Sequence, residues 1–455
     1  MDASRFEELS GWLGERLAID AECLAEHGRD PSHHPAAPPD AVAYPETTEE
    51  VARIVRWCVE ADTALVPCGA GTSVEGGTLA PTGGLAVDLS RMNRIKAVHL
   101  DDQDAVVEPG VTRVQLGEHL AAEPLFFSVD PGADASIGGM ASTGASGTNT
   151  VRYGTIRDNV LALEVVLGDG RVIRTGSRAR KSSSGYDLTH LFLGAEGTLG
   201  VITELTVRLH PRPPAVSVVV GTFEAIGPAV RTVMEVVQRA IPVARAELLD
   251  GVAIDAVNRY SGMDHAVAPT LFFEFHGSPA AVEEQASEVE SIARGHGGAR
   301  FRHSLDPAES ERLWQARKDA YYAARALRPE AHAVSTDVCV PISRLAECIE
   351  ETVADIERTA IRAPIVGHVG DGNFHCIVLA NIDDSQEIAA VDAFHHRLIE
   401  RALACGGTSS GEHGVGLGKR EFMLKEHGEG VAVMRELKRA LDPHGILNPG
   451  KLFLD

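Results

Sequence analysis

The seven cysteines are scattered over 455 residues, with no CxxC pair among them. The chain therefore encodes neither a cysteine-ligated iron–sulfur cluster nor a zinc ribbon, and it suits a reducing compartment. No apolar run approaches the about 20 residues of a membrane span. Basic charge is scarce too: 42 Lys and Arg stand against 65 Asp and Glu, a formal net charge of −23. That balance argues against a nucleic-acid partner and against adhesion to anionic lipid by charge alone, while a locally basic site could still take a small anionic substrate. The opening MDASRFEELSGWLGERL lacks the basic and apolar regions of a secretory signal and the arginine-rich, acid-poor character of a transit peptide. A cytoplasmic protein is expected, either free or peripheral to the inner face of a membrane.

What is present is a globular composition, 44% hydrophobic and 24% charged, in a chain too long for one ordinary core. Residues 1–35 read as a helix and a polar lead-in. From about residue 40, short β-rich runs such as TALVPCGAG, GLAVDLS, AVVEPGVT and GVITELTVRLHP alternate with helices. HPRPPA, 210–215, is a stiff linker and marks a domain boundary. Beyond it, the strands VSVVVGTF and TLFFEFHG are separated by amphipathic helices, a long helix runs from about Asp306 to Leu327, and the chain is mainly helical after Asp383.

Glycine is dense between 69 and 200, in three clusters. PCGAGTSVEGG, 67–77, follows an apolar run, and its glycines let successive N–H groups approach an anion. It is neither a P-loop nor a dinucleotide loop, since no GK[ST] follows and no helix pattern begins there. DPGADASIGGMASTGASGTNTVRYGTIRDNV and GAEGTLGVIT are the second and third clusters. Together, in this order, they resemble the vanillyl-alcohol-oxidase-type FAD-binding fold. The resemblance implies that Pro67, Gly69, Ala70, Gly71, Thr72, Ser73 and Gly76 form the pyrophosphate loop. Pro131, Gly132, Ser136, Gly138, Gly139, Thr143 and Gly144 would follow the cofactor further, and Gly197, Gly200 and Ile202 would approach its ribityl or adenine portions. Relatives that attach FAD covalently use a His in the first loop or a Cys in the second. Residues 66–77 contain no His and 130–155 contain neither, and Cys68 does not match a usual attachment point, so non-covalent FAD is expected.

In the C-terminal half, IVGHVGDGNFHCIVLA, 365–380, reads as two strands around a tight turn. With Asp371-Gly372 as a two-residue hairpin turn, His368 opposes His375, and the two side-chain roots stand about 5 Å apart on one sheet face. From this stretch alone, a hydrogen-bonded pair and a pair of metal ligands are both open readings. SSGEHGVGLGKREFM, 409–423, adds Glu412 and His413 between glycines. Glu412 would complete a His-His-carboxylate set with open positions, suited to zinc, manganese or iron. His413 would stay unligated and act as a base.

HVGDGNFH, SGEHGVG and the terminal DPHGILNPGKLF resemble the FAD-linked oxidase C-terminal domain of the FAD-dependent D-2-hydroxyacid dehydrogenase family. That family holds D-lactate dehydrogenases, the flavin subunit of glycolate oxidase and D-2-hydroxyglutarate dehydrogenases. STDVCVPISRL is most similar to the cytochrome-linked D-lactate dehydrogenases. The resemblance implies an α+β chain. A lead-in, 1–34, precedes a PCMH-type FAD-binding domain of two α/β subdomains, 35–213. A mixed α/β substrate- and metal-binding domain with a helical C-terminal cap follows, 214–455. It implies a divalent metal, zinc or manganese, on His368, His375 and Glu412, with His413 as catalytic base, and it puts Asn448 and Lys451 on the cofactor side.

Arg317 and Tyr321, four apart on a helix, share a face. By the resemblance Arg317 clamps the substrate carboxylate through two parallel bonds, and Trp314 covers the pocket or is plain core. Relatives acting on D-2-hydroxyglutarate carry a lysine where this chain has Ser335, so a dicarboxylate is disfavoured. The implied activity is oxidation of D-lactate, or a similar small D-2-hydroxy acid, to the 2-oxo acid, with hydride passing to flavin N5. Electrons would leave to cytochrome c, a quinone or an electron-transfer protein rather than NAD. The alternatives are the flavin subunit of a glycolate-oxidase-like complex and a D-2-hydroxyglutarate dehydrogenase. More distant ones are a non-haem iron oxygenase, against which the FAD-type half argues, and a non-catalytic flavin-binding protein. His33-His34, His303 and His395-His396 are read as surface or packing histidines.

Overall fold

The computed structural model describes residues 6–454. It forms two compact units. One takes the chain up to Ser146, then Gly154–Arg212, then the stretch from Glu412 on; the other takes Gly147–Tyr153 and Pro213–Gly411. The last stretch, expected with the substrate domain, thus clusters with the glycine-rich unit.

The first unit holds two sheets. In the smaller, Leu65–Cys68 and Ala41–Ala43 flank Leu85–Asp88 and both run parallel to it, with Leu17–Ala18 at the edge. Leu85–Asp88 is buried along its length, as expected of a parallel strand covered on both faces. Helix Thr48–Glu60 packs on it through Val51, Ile54, Val55 and Cys58, the spacing of one helical face. Its N-terminus is set by Thr47, whose side chain accepts from the Glu50 N–H at 3.2 Å. The second sheet is antiparallel, in the order Ile95–His99, Asp104–Val107, Val201–Arg208, Val160–Val166, Val172–Arg174. Its inner side chains, Leu163, Val165, Leu205 and Val207, close over Ile137 and Met140 of the short helix Ile137–Thr143. The N-terminal lead-in is two short helices, Glu7–Leu13 and Ala21–His27, rather than one, because Asp20 caps a second start at Cys23 N.

The second unit is built on one eight-stranded antiparallel sheet. Its order is Ala299–Ser304, Ala215–Thr222, Thr270–Gly277, Val243–Leu249, Ile365–Gly367, Asn373–Ala380 and His332–Ser335, with Val338–Cys339 also paired to Asn373–Ala380. Helices Gly251–Ser261 and Pro307–Ala326 bury Ile254, Val257, Leu313 and Ala316 against one face, where Val218, Val220 and Phe272 point. Among the described residues no helix is long and apolar enough to cross a membrane.

The histidine hairpin differs from its expected register. Val366, not His368, pairs with His375, and the first strand ends at Gly367. The turn is therefore wider than two residues, closed by the Asp371 N–H on the His368 carbonyl at 3.0 Å. The Asn373 N–H donates to the His368 carbonyl (3.3 Å), and its side-chain amide donates to Asp337 (2.7 Å) and to the Val338 carbonyl (2.8 Å), so Asn373 sits opposite His368 rather than Gly370 and is tied to a third strand as well. The slip is two residues, an even number, so His368 stays on the face it was expected to share with His375.

Candidate functional site

In the first unit, all three glycine clusters meet. Ser136 caps helix Ile137–Thr143, and its Oγ accepts from Gly139 N (3.3 Å) and from Ala70 N in the first loop (3.4 Å). Gly69 lies so close that a Cβ there would collide with Ser136 Oγ. Gly197, at φ +71°, faces the Pro67 ring, 2.8 Å from where its Cβ would be. Gly138 abuts Pro109 and Gly200 abuts Val165, so both are packing glycines, while Gly144 ends its helix at φ +73°. Gly71 and Gly132 face open space, and Gly71 sits at φ +67°; an exposed main chain of this kind fits a pyrophosphate-bearing ligand. Thr143 Oγ1 turns back to the Gly139 carbonyl, Ser73 Oγ accepts from Gly77 N, and Ile202 is buried in the antiparallel core. Pro131 is half-buried in the irregular segment that precedes the helix.

The C-terminal segment fastens this arrangement. Asn448, at φ +41°, donates to the Gly77 carbonyl (3.1 Å) and to the Glu196 carbonyl (2.7 Å), joining the first and third clusters. Lys451 Nζ donates to the Leu79 carbonyl (2.7 Å) and Asn448 Oδ1 (3.2 Å), and burial pushes its pKa down to about 8. Both side chains thus hold the loop through protein carbonyls. Glu196 accepts from Val415 N (2.7 Å) and Gly416 N (2.8 Å), and burial raises its carboxyl above the usual range. Lys419 and Glu75 form a buried ion pair at 3.1 Å. The long-range ties among these could not be read locally, since their partners lie hundreds of residues apart in the chain. His34, in the lead-in, packs against Gly76 and Gly418. Cys68 is buried in strand Leu65–Cys68, and burial pushes its thiol up to about 12, which makes it a poor nucleophile toward a flavin.

In the second unit, His368 and His375 are both buried, with ring centroids 5.5 Å apart and planes nearly perpendicular. His375 Nδ1 meets the Thr336 carbonyl at 2.9 Å. A carbonyl only accepts, so Nδ1 carries the proton and Nε2 keeps its lone pair. His368 Nδ1 donates to Glu247 Oε1 at 2.7 Å, which fixes the same tautomer. Gly411, the last residue of this unit, lies so near Asn373 that a Cβ would collide with its amide, and the next peptide bond carries Glu412. One ligand atom each from His368, His375 and Glu412 lie within 4.8 Å of one another. Two imidazole lone pairs and a carboxylate form a donor set suited to a divalent transition metal. Glu412 also accepts from Ser146 Oγ at 2.6 Å. His413 follows it in the same half-buried loop.

Arg317, on helix Pro307–Ala326, donates through Nε to Glu247 Oε2 at 2.6 Å. Burial pushes the Glu247 carboxyl up, but its two hydrogen-bonded neighbours, His368 and Arg317, outweigh it and hold the group below the usual carboxylate range. Trp314 belongs to the core against Phe272 (6.0 Å), with the Arg245 guanidinium over its ring. Tyr321 is exposed, edge-on to Tyr322. Ser335 ends strand His332–Ser335 opposite Ile377, next to the Thr336 that orients His375. His303 bonds Ser217 across two strands (2.7 Å), and His396 faces Glu400 on its own helix.

Sequence reasoning missed Glu247. The signal was there: a glutamate within the apolar run PVARAELLD must find partners if it is buried. A second buried network was equally unread. Tyr153 Oη meets His276 Nδ1 (2.7 Å), His276 Nε2 meets Glu274 (2.7 Å), and Arg245 bonds Asn149 (2.9 Å), so the short segment Gly147–Tyr153 is stitched to the second unit's sheet.

Residues 212–452 match the family model for FAD linked oxidases, C-terminal domain, and residues 39–176 match that for an FAD binding domain. The chain is 48% identical to a probable mitochondrial D-lactate dehydrogenase of Danio rerio, over 99% of this chain and 91% of that one. It is 43% identical to a mitochondrial D-lactate dehydrogenase [cytochrome] of Arabidopsis thaliana, over 98% of this chain and 79% of the relative. Among solved structures, 4-ethylphenol oxidase from Gulosibacter chungangensis superposes with a TM-score of 0.82 at 22% identity, over 99% of this chain and 97% of that chain, a likeness of fold.

Proposed function

The chain belongs to the FAD-linked oxidase family that includes the mitochondrial D-lactate dehydrogenases, and on that premise we propose that it oxidises D-lactate, or a similarly small D-2-hydroxy acid, to the 2-oxo acid. The observation that carries the reading is the cluster of His368, His375 and Glu412, with Arg317 joined to His368 through Glu247.

When bound, FAD supplies the two-electron acceptor and a divalent cation on His368, His375 and Glu412 supplies a Lewis acid. Arg317 pairs with the substrate carboxylate and sets its orientation; an arginine fork gives two parallel charge-assisted bonds where a lysine gives a point charge. The Thr336 carbonyl and the Glu247 carboxylate keep both ligand imidazoles in the tautomer that presents Nε2. His413 takes the proton of the substrate hydroxyl, a contribution of roughly 100-fold or more for a placed general base. Ser335, being short and uncharged, offers no partner for a second carboxylate. The glycine loops hold FAD without a covalent bond, in keeping with the buried, unreactive Cys68. The acceptor is a cytochrome or another electron carrier rather than NAD.

The test is an anaerobic absorbance spectrum of the metal-replete flavoprotein with added 2-hydroxy acids. D-Lactate should bleach the flavin bands, and L-lactate and D-2-hydroxyglutarate should not. Glu412→Ala should keep its flavin and lose both the bleaching and the metal. A flavin that D-2-hydroxyglutarate bleaches and D-lactate leaves oxidised would overturn the substrate assignment. A Glu412→Ala protein that is metal-free and fully active would overturn the role of the cluster.

A further inference from the structure

We propose that Glu247 is a positioning residue that sets the substrate arginine and a metal ligand with one carboxylate, an inference that rests on the function proposed above. Glu247 lies on strand Val243–Leu249, and its side chain is 1% exposed. Its two oxygens are divided between two partners: Oε2 takes the Nε–H of Arg317 at 2.6 Å, and Oε1 takes the Nδ1–H of His368 at 2.7 Å. The three residues come from different elements of the same unit, 70 and 121 positions apart from Glu247 along the chain. Sheet pairing makes the meeting possible, because Leu248 opposes Gly367 and so brings residue 247 beside the turn that carries His368. Helix Pro307–Ala326 covers the same face and lowers Arg317 onto it.

The carboxylate is planar, so the directions of its two oxygens are not independent. Rotation that improves one bond degrades the other, and the rest position is set jointly by the helix and the hairpin. Held at Nε, Arg317 has its guanidinium plane fixed before any substrate arrives, which lowers the entropic cost of pairing with a carboxylate. Held at Nδ1, His368 presents Nε2 toward His375 and Glu412, and its basicity is raised by a full negative charge rather than by a carbonyl dipole. The Nδ1 of His375 meets a neutral carbonyl, that of Thr336, at 2.9 Å, with the Asp337 carboxylate at 3.7 Å, whereas the Nδ1 of His368 meets a carboxylate directly at 2.7 Å.

Glutamine in place of Glu247 keeps the volume but has one acceptor and one NH2 group. It can serve Arg317 or His368, never both, because the other donor then faces a donor. Loss of a group that orients a metal ligand typically weakens metal binding 10- to 100-fold. Glu247→Gln should therefore lower the affinity for Zn²⁺, measured by competition with a chromogenic chelator on the flavin-loaded protein, by about 10- to 100-fold. It should also raise the KM for D-lactate about tenfold or more while kcat, at saturating metal and substrate, stays within a few fold. Glu247→Asp keeps the charge but is one methylene short. It should retain wild-type behaviour in one of the two readouts and lose it in the other, and it decides the matter if the glutamine variant fails to fold. The wild type separates the two levels of the reading. Wild-type protein that binds no Zn²⁺ and is not reduced by D-lactate counts against the proposed function. Wild-type protein that does both, beside variants with unchanged Zn²⁺ affinity and unchanged KM, overturns the role of Glu247.

Discussion

Replacing Lys419 by methionine should unseat the glycine loop without touching a substrate-facing group. The Lys419 side chain is 0% exposed and that of Glu75 6%, with Nζ 3.1 Å from Oε1. At an effective dielectric near 20, that separation corresponds to an attraction of about 5 kcal/mol, much of it offset by the cost of drying two charges. Removing only the cation leaves the carboxylate buried without its ammonium, a change that costs about 3–5 kcal/mol. Glu75 has no room to turn outward. Its carbonyl accepts from Leu417 N at 2.8 Å, a Cβ at Gly416 would collide with that carbonyl, and one at Gly418 would collide with its carboxylate. Because Glu75 lies within the first glycine cluster, the penalty should appear as flavin loss as well as instability. The assay is denaturant-induced unfolding followed by flavin fluorescence, run as a cycle of Lys419→Met, Glu75→Gln and the double variant. Lys419→Met should cost about 3–5 kcal/mol, and the double variant should recover about 2 kcal/mol or more relative to the sum of the single changes. A single-variant cost under about 1 kcal/mol, or a cycle that adds to within about 0.5 kcal/mol, would refute this account of the loop.

Gly197→Ala should cost about 2–4 kcal/mol, combining a left-handed backbone with a Cβ forced against Pro67; Gly71→Ala, left-handed but facing open space, should cost only about 1–2 kcal/mol, and thermal unfolding of the two proteins side by side tests the ranking. His210, whose Nε2 meets Asn159 Oδ1 at 2.8 Å, is held down to about 4 by burial and by neighbouring arginines. Between that value and about 6.5 the unfolded chain binds a proton that the folded chain does not, so this residue's contribution to stability is lost as pH falls through the window. His210→Gln should flatten the acid limb of a stability–pH curve measured by urea unfolding, and an unchanged slope would show that His210 contributes nothing to it.

The elements that positioned the site were largely readable. TLFFEFHG is the strand Thr270–Gly277, and the long helix expected from about Asp306 to Leu327 runs Pro307–Ala326. The histidine pair was legible because sheet alternation forgives an even slip: the turn widened, the register moved by two, and both imidazoles stayed on one face. The final stretch was harder. Nothing local in NPGK says that Asn448 reaches the Gly77 and Glu196 carbonyls, or that Leu65 is bridged to Leu447. Those contacts satisfy buried polar groups, which is a property of the folded chain and not of any window of sequence.

By itself the sequence determined the chemistry available. Residue types at short spacing, the glycine clusters, the His-x6-His hairpin and the Glu412-His413 pair, are enough to specify which bonds can be made, because local spacing and backbone freedom are set within a few residues. The tertiary structure alone decided how those groups are held. It chose Glu247 as the partner of both Arg317 and His368, chose the Thr336 carbonyl for His375, and gathered three glycine clusters around Ser136, Pro67 and Asn448. The physical reason is that a buried polar group must find its complement wherever the packed sheet and helices bring one, and the distance along the chain plays no part in that choice.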